Sequence, residues 1–160
     1  MVIVLMGVAG SGKTTIGRGL ATALGWRFDD ADDYHPRTNV EKMSRGVPLN
    51  DDDRRPWLQA LHDLIADSLA RGENAVLACS ALKESYRAYL LFDERVKLVY
   101  LKGEHELIAA RLKQRSDHFM KPQMLDSQFA TLEEPTQGLH IDVALSPEEI
   151  IQTIRGRLAV

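Results

Sequence analysis

Strand-like and helix-like patterns of apolar and polar positions alternate along this chain. Strand-like runs fall at Val2–Met6, near Arg27–Asp29, at Ala75–Cys79, at Val96–Leu101 and at Ile141–Leu145, and helical patterns separate most of them. That order predicts an α/β architecture, a five-stranded parallel sheet with helices on both faces. The first helix is expected from Lys13 to Leu24, stopped by Gly25. Trp57, Leu58, Leu61, Leu64, Ile65 and Leu69 recur at intervals of three and four. They define the core face of a long helix, with Asp51, Asp52 or Asp53 as its cap and Pro56 in its first turn. Further helices are expected over 83–92, 105–115, 122–132 and 147–158, the last announced by Ser146-Pro147-Glu148-Glu149. Residues 116–121 interrupt the pattern between two helices. Flanked by Arg111, Lys113, Arg115 and Lys121, they read either as part of an active-site lid over about 112–124 or as a plain solvated connection.

The first strand runs directly into Gly7-Val8-Ala9-Gly10-Ser11-Gly12-Lys13-Thr14, which fits the spacing G-x-x-x-x-G-K-[ST] at every fixed position. This is a phosphate-binding loop in its strand-to-helix setting, and it makes the expected fold a three-layer P-loop NTPase. Glycines let the chain wrap a polyphosphate and bring its N–H groups within hydrogen-bond reach of the oxygens. Lys13 adds a mobile positive charge, Thr14 offers a hydroxyl to Mg²⁺, and the helix opening at Lys13 points its positive end at the same phosphates. A Gly-rich turn with no ligand would not need Gly-Lys-Thr at the helix start. The motif therefore predicts a nucleoside triphosphate with Mg²⁺.

Composition narrows the partners. At 160 residues and 44% hydrophobic content, the chain is sized for one domain with a substantial core. A net charge of −3 argues against a broad nucleic-acid footprint, so any basic cluster should be local and serve a small anion. Cys79 is the single cysteine, which excludes an intrachain disulfide and fits a reducing compartment. The N-terminal apolar run is too short to span a bilayer and lacks the basic n-region of a secretory signal. The expectation is a soluble cytoplasmic protein with neither membrane nor nucleic acid as partner.

A kinase of small molecules needs a triphosphate cradle, a metal, a carboxylate that places the acceptor hydroxyl, and cations that neutralise the transferred phosphoryl group. Asp30 and Asp32 lie two residues apart just after the second strand, where an extended segment would turn both to one side at the carboxyl end of the sheet. One can hold a water of the Mg²⁺ shell while the other accepts a hydrogen bond from the attacking hydroxyl. A solvated acidic turn is the other reading, since Phe28-Asp29-Asp30-Ala31-Asp32-Asp33 holds four aspartates in five residues. The third strand does not end in the Asp that often holds the metal of phosphate-loop ATPases, which leaves Thr14, Asp30 and water for that task. Two sets of cations are available. Arg111, Arg115, His118 and Lys121 suit a lid that closes over the phosphates. Arg37, Arg54, Lys83 and Arg87 are scattered in sequence, but gathered at the sheet's carboxyl edge they suit a carboxylate on the substrate. Taken singly, each is an ordinary surface charge.

At this point the residues become specific. Asp30-Ala31-Asp32, then His35-Pro36-Arg37-Thr38-Asn39, Glu41-Lys42-Met43 and Gly46 through Leu58 closely resemble the gluconokinase family. So do Cys79-Ser80-Ala81-Leu82-Lys83 with Tyr86-Arg87, Tyr100 to Gly103, His118 to Leu125, and Ser127-Gln128-Phe129 on to Pro135. The likeness covers nearly the whole chain in order and spacing. It implies ATP-dependent phosphorylation of D-gluconate on its terminal hydroxyl, giving 6-phosphogluconate and ADP. It also implies a fold similar to shikimate and nucleoside monophosphate kinases with a lid, and a homodimer, as is common in the family. On that resemblance Gly7, Val8, Ala9, Gly10, Ser11, Gly12, Lys13, Thr14 and Thr15 serve phosphates and metal, with Arg111 and Arg115 on the lid side. Asp32 orients or deprotonates the acceptor hydroxyl, and Arg54, Lys83 and Arg87 receive the sugar acid within a substrate region of about 30–58 and beyond. His35 and His118 become hydroxyl partners, against the plainer readings of a turn-locking His before Pro36 and a surface residue. Two other readings stay open: a kinase of another small hydroxy acid such as shikimate, and a regulatory module that hydrolyses nucleotide slowly. Against the first, the third strand's end lacks the Gly-rich turn of shikimate kinases. The second would not need the 30–58 cluster.

Overall fold

The side chains of β1 (Val2–Met6) alternate between two faces, and every one of them is buried, so this strand must lie between two covering layers. The computed structural model describes residues 1–114 and 122–160 and provides those layers. After β1 come α1 (Lys13–Leu24), β2 (Arg27–Asp30), a 3₁₀ turn (Ala31–Tyr34), α2 (Arg37–Ser44), α3 (Asp51–Ala70), β3 (Ala75–Ala78) and α4 (Glu84–Leu90). Then follow β4 (Val96–Lys102), α5 (His105–Gln114), α6 (Pro122–Thr131), β5 (Leu139–Asp142) and α7 (Pro147–Leu158). The five strands pair in the order β2-β3-β1-β4-β5, all parallel, with Val2 level with Ala75 on one side and Val96 on the other. The expected sheet thus forms. No helix among the described residues is long and apolar enough to cross a membrane.

Val2, Val4 and Met6 face Trp57, Leu61, Ile65 and Leu69 of α3, the stripe legible in the sequence. Ile3 and Leu5 face Ile16, Leu20 and Ala21 of α1 and Ile150 and Ile154 of α7. A smaller cluster joins Val8 of the phosphate loop to Leu82, Ile108 of α5 and Leu125 of α6. Burying such side chains stabilises the fold by roughly 1.5–3 kcal/mol each before chain entropy is counted. The loops after β1, β2 and β3 all leave the same, carboxyl edge of this parallel sheet, where open α/β folds place their ligands.

Several boundaries differ from expectation. The cap of α3 is Asn50, not an aspartate: its side chain accepts the Asp53 N–H (2.8 Å) while Asp53 accepts the Asn50 N–H (3.0 Å). Asp53 is therefore the third residue of a capping box, and Pro56 sits at the sixth helical position, outside the first turn, where it supplies no N–H to the Asp52 carbonyl. The α2 helix was not expected, because Asn39 alone among its eight residues is buried and no apolar period marks it. Strand β5 lies two residues earlier than its apolar run suggests. Asp142 accepts the N–H of Ala144 (2.8 Å) and turns the chain, which sends Val143 and Leu145 into the following loop.

The α1 helix approaches β2 so closely that a Cβ on Gly17 would stand 2.5 Å from Phe28 Cε2 and 3.3 Å from Leu5. Gly156 in α7 has nothing within 4 Å of the same position. Chemical denaturation should therefore show Gly17→Ala losing about 1–3 kcal/mol through overpacking. Gly156→Ala should gain up to about 1 kcal/mol from helix propensity.

Candidate active site

Two of the helices close their N-termini with their own side chains. Asn50 and Asp53 do so for α3, and Ser146 and Glu149 for α7. Helix α1 begins instead at Gly12, in a left-handed conformation (φ 95°) and with no side chain to cap it. Its first amides and its positive end face the phosphate loop. Gly10 is also left-handed (φ 79°), and a Cβ there would meet Leu112 of α5 at 2.8 Å, so the loop can follow this path only with glycine. Lys13 folds back along it, its ammonium donating to the Val8 carbonyl (2.9 Å).

The acidic segment meets this loop directly. Thr14 Oγ1 donates to Asp30 Oδ2 (2.9 Å), and Asp30 Oδ1 accepts the N–H of Asp32 (3.1 Å). Asp30 thus links the phosphate loop to the turn that carries Asp32. The turn is held from behind by Trp57, whose indole N–H donates to the Ala31 carbonyl (2.7 Å). Desolvation against the protein raises the Asp32 carboxyl above its ordinary range, and Asp30 adds to the rise while Lys13 opposes it; the residue as a whole stays exposed. Burial lowers the Lys13 ammonium, and Asp32, Cys79 and Asp30 counter the shift. Cys79 lies beneath them, its thiol pushed up to about 12 by burial, and is no nucleophile.

A second group lies on α3, the loop between β3 and α4, and α4 itself. Lys83 donates to both oxygens of Asp51 (2.9 and 3.2 Å), and the Tyr86 hydroxyl donates to the same carboxylate. Arg54 donates to the Tyr86 hydroxyl (3.2 Å) and stands 5.7 Å from the centre of its ring. Asp51 is held below the usual carboxylate range by Tyr86 first and then by Lys83. Among the described residues no carboxylate lies within 4.0 Å of the Arg54 guanidinium, though its charge helps to lower Asp51 and Asp53. The structure therefore gathers Arg54 and Lys83, as expected, and adds Asp51 and Tyr86, which the sequence reading did not place in the site. Arg87 is buried, and one of its guanidinium nitrogens donates to the carbonyls of Ala81 and Leu82 (both 3.0 Å), bracing the loop that presents Lys83. Arg37 is exposed and pairs with Glu41 one helical turn away.

His35 stacks on Trp57, ring centres 4.6 Å apart and planes 9° from parallel. The Asn39 amide nitrogen donates to the Asp53 carbonyl (2.7 Å) and lies 3.3 Å from His35 Nδ1. An amide nitrogen only donates, so Nδ1 accepts and the ring proton is on Nε2. Burial, with Arg54 adding to it, lowers the imidazole to about 4, and it stays neutral at physiological pH.

Arg111 lies elsewhere. Its guanidinium donates to the Val143 carbonyl (2.6 Å) on the wall of a cavity of about 460 Å³ behind the phosphate loop. Gly10, Thr15, Val143, Leu145 and Pro147 also line it. This space has the size and half-apolar lining of a nucleoside site. No single stretch of sequence marks it, because its walls come from the phosphate loop with the start of α1, from α5, and from the β5–α7 connection with the start of α7. Arg115 and His118, and most of the lid expected over 112–124, lie outside the described residues.

Thr14 and Asp30 are hard oxygen donors 2.9 Å apart at the phosphate loop, the kind of partial protein shell that suits Mg²⁺ completed by phosphates and water. Among the described residues no cluster of three or more His, Cys, Asp or Glu exists to hold a metal by protein alone.

The chain is similar to known proteins over nearly its whole length. The family profile described as shikimate kinase matches residues 9–155. A gluconokinase of Gluconobacter oxydans is 50% identical over 83% of this chain and 75% of its own. The thermoresistant gluconokinase of Escherichia coli is 44% identical over 94% of this chain and 89% of its own. The crystal structure of a gluconokinase from Sinorhizobium meliloti superposes with a TM-score of 0.86 at 41% identity, covering 99% of this chain and 91% of that one.

The His35 environment sets a pH dependence. In the unfolded chain the imidazole takes up its proton near pH 6.5, and in the folded protein only near 4. Between these values the unfolded state binds more protons, so this contribution to stability is complete above about pH 6.5 and declines as the pH falls towards 4. Thermal unfolding should show the Tm gap between the native protein and His35→Asn narrowing steadily from pH 7 to 4.5.

Proposed function

The chain belongs to the gluconokinase family, within the shikimate-kinase-like group, and from that premise we propose that it transfers the γ-phosphoryl group of ATP to the terminal hydroxyl of D-gluconate. The observation that carries this reading is an uncapped helix N-terminus with Lys13 joined through Thr14 to the Asp30–Asp32 turn, together with an Arg54 that makes no ion pair within 4.0 Å among the described residues. An open-chain sugar acid needs a cation for its carboxylate and acceptors for its hydroxyls, and the two halves of the site offer both. The relatives' names favour gluconate over shikimate as acceptor. A regulatory nucleotide switch would leave the Arg54–Tyr86–Lys83 group without a task.

In this reading the amides of Gly10 to Thr15 and the Lys13 ammonium hold the β- and γ-phosphates. The nucleoside occupies the cavity beside Arg111. Mg²⁺, held through Thr14 and by way of water through Asp30, would supply positive charge that offsets the negative charge on the phosphates. Asp32, exposed beside the phosphate loop, accepts the hydrogen bond of the 6-hydroxyl. As the hydroxyl oxygen bonds to phosphorus and the bond to the ADP oxygen breaks, the hydroxyl proton leaves towards this carboxylate. Arg54 binds the substrate carboxylate from the far end, with Lys83 and Tyr86 beside it, and the neutral His35 donates from Nε2 to a substrate hydroxyl. Catalysis is by placement and charge, as phosphoryl transfer requires.

Coupled detection of ADP should show turnover that depends on D-gluconate, not on shikimate; turnover with no acceptor dependence overturns the reading. In the same assay Asp32→Asn should lose about 10²–10⁴-fold in kcat, with the Kd for ATP nearly unchanged. For Arg54→Gln the effect should instead fall on the acceptor, raising the KM for gluconate by roughly 10–100-fold at little cost to ATP binding, as loss of one charge-assisted contact implies.

A further inference from the structure

Helix α6 touches the phosphate loop at one peptide. The Ala9 N–H donates to Gln128 Oε1 at 2.6 Å, across 119 residues of sequence. The carbonyl of that same peptide unit belongs to Val8, and it accepts the Lys13 ammonium at 2.9 Å. In a trans peptide the carbonyl and the N–H point in opposite directions. With the carbonyl turned towards Lys13, the N–H must turn away from it, and Gln128 meets it there. The side-chain oxygen therefore does not compete for the space that Lys13 faces. It holds the peptide from behind.

We infer that Gln128 is a positioning residue of the kinase reaction: by gripping the Ala9 N–H it fixes the orientation of the Val8–Ala9 peptide and so the resting place of the Lys13 ammonium. The inference rests on the function proposed above. Its physical basis is the rigidity of α6, which can hold a loop amide only if the helix itself is held. Leu125 is buried in the cluster that includes Val8 and Ile108. His105 Nε2 lies 2.6 Å from Asp126 Oδ1, and its ring packs on Phe129. Just past the helix, the Glu133 N–H donates to the Leu82 carbonyl (2.9 Å) and the Glu133 carboxylate accepts the Glu84 N–H (2.7 Å). Those last contacts fasten the same segment to the loop that carries Lys83. One element thus registers the phosphate cradle and the acceptor side against each other.

Gln128→Met keeps length and bulk but removes the acceptor, and Gln128→Glu keeps an acceptor. Two measurements on each separate this role from plain structural support. In amide hydrogen exchange on the protein without nucleotide, Ala9 should exchange on the order of 10-fold faster in Gln128→Met, with Leu20 in α1 unchanged, while Gln128→Glu retains the protection. In steady state Gln128→Met should lose about 10–100-fold in kcat, the scale expected when a reacting group is slightly misplaced, with the KM for gluconate unchanged and the Tm lower by only a few degrees. Equal Ala9 protection in all three proteins, or a kcat within twofold of the native value, overturns the inference. The exchange measurement involves no acceptor, so it judges the clamp even if the gluconate assay rejects the proposed reaction.

Discussion

An α-helix that starts without a cap beside the central strand of a buried sheet is the constraint from which this site follows. Leaving a buried N–H unpaired costs about 1–3 kcal/mol, and α3 and α7 avoid the cost with Asn50 and Ser146. At α1 the chain puts Gly12 where such a side chain would be. The amides and the positive end of the helix are thereby left to an anion, and the surrounding charges are consistent with one. Lys13 lies along the loop, while Asp30 is turned to the Thr14 hydroxyl and the Asp32 N–H.

The acceptor side is built on a different principle. Its groups come from α2, α3, the loop after β3 and α4, and polar contacts lock them to one another: Asn39 to Asp53, Lys42 to Asp53, Lys83 and Tyr86 to Asp51, Arg54 to Tyr86. The apolar stripe of α3 anchors this network to the sheet through Trp57, which also holds the turn bearing Asp32. One aromatic side chain thus connects the core, the acidic turn and the stacked His35.

What the sequence made legible is what obeys a local rule. The phosphate loop has fixed spacing, the α3 stripe has a helical period, and the β1, β3 and β4 runs are short and apolar, so each could be read where it stands. Asp30 and Asp32 stood out as two acids two residues apart just after the β2 run, but their contact with Thr14 was not legible, because β3 separates β2 from β1 in the sheet. Helix α2 was not, having no apolar face to announce it. The partnership of Arg54 with Tyr86 was hidden by 32 residues of chain, as was the cavity beside Arg111, whose walls meet only after the sheet is assembled. Arg87 illustrates the opposite difficulty. Its charge suggested the substrate, whereas its burial and its bonds to two loop carbonyls describe a brace.

Strand β2 has one further consequence. As the outermost strand on its side of the sheet it leaves a row of backbone groups unpaired, the usual template for unwanted association between chains. Its four residues include Arg27, Asp29 and Asp30, and Arg27 bonds to Asp29 within the strand and to Glu73 and Ser68 on its inner side. A short, charged border makes fibril-like stacking of one copy on another unfavourable. The acidic end of the strand that contacts Thr14 is therefore also part of the border that disfavours association between newly made chains.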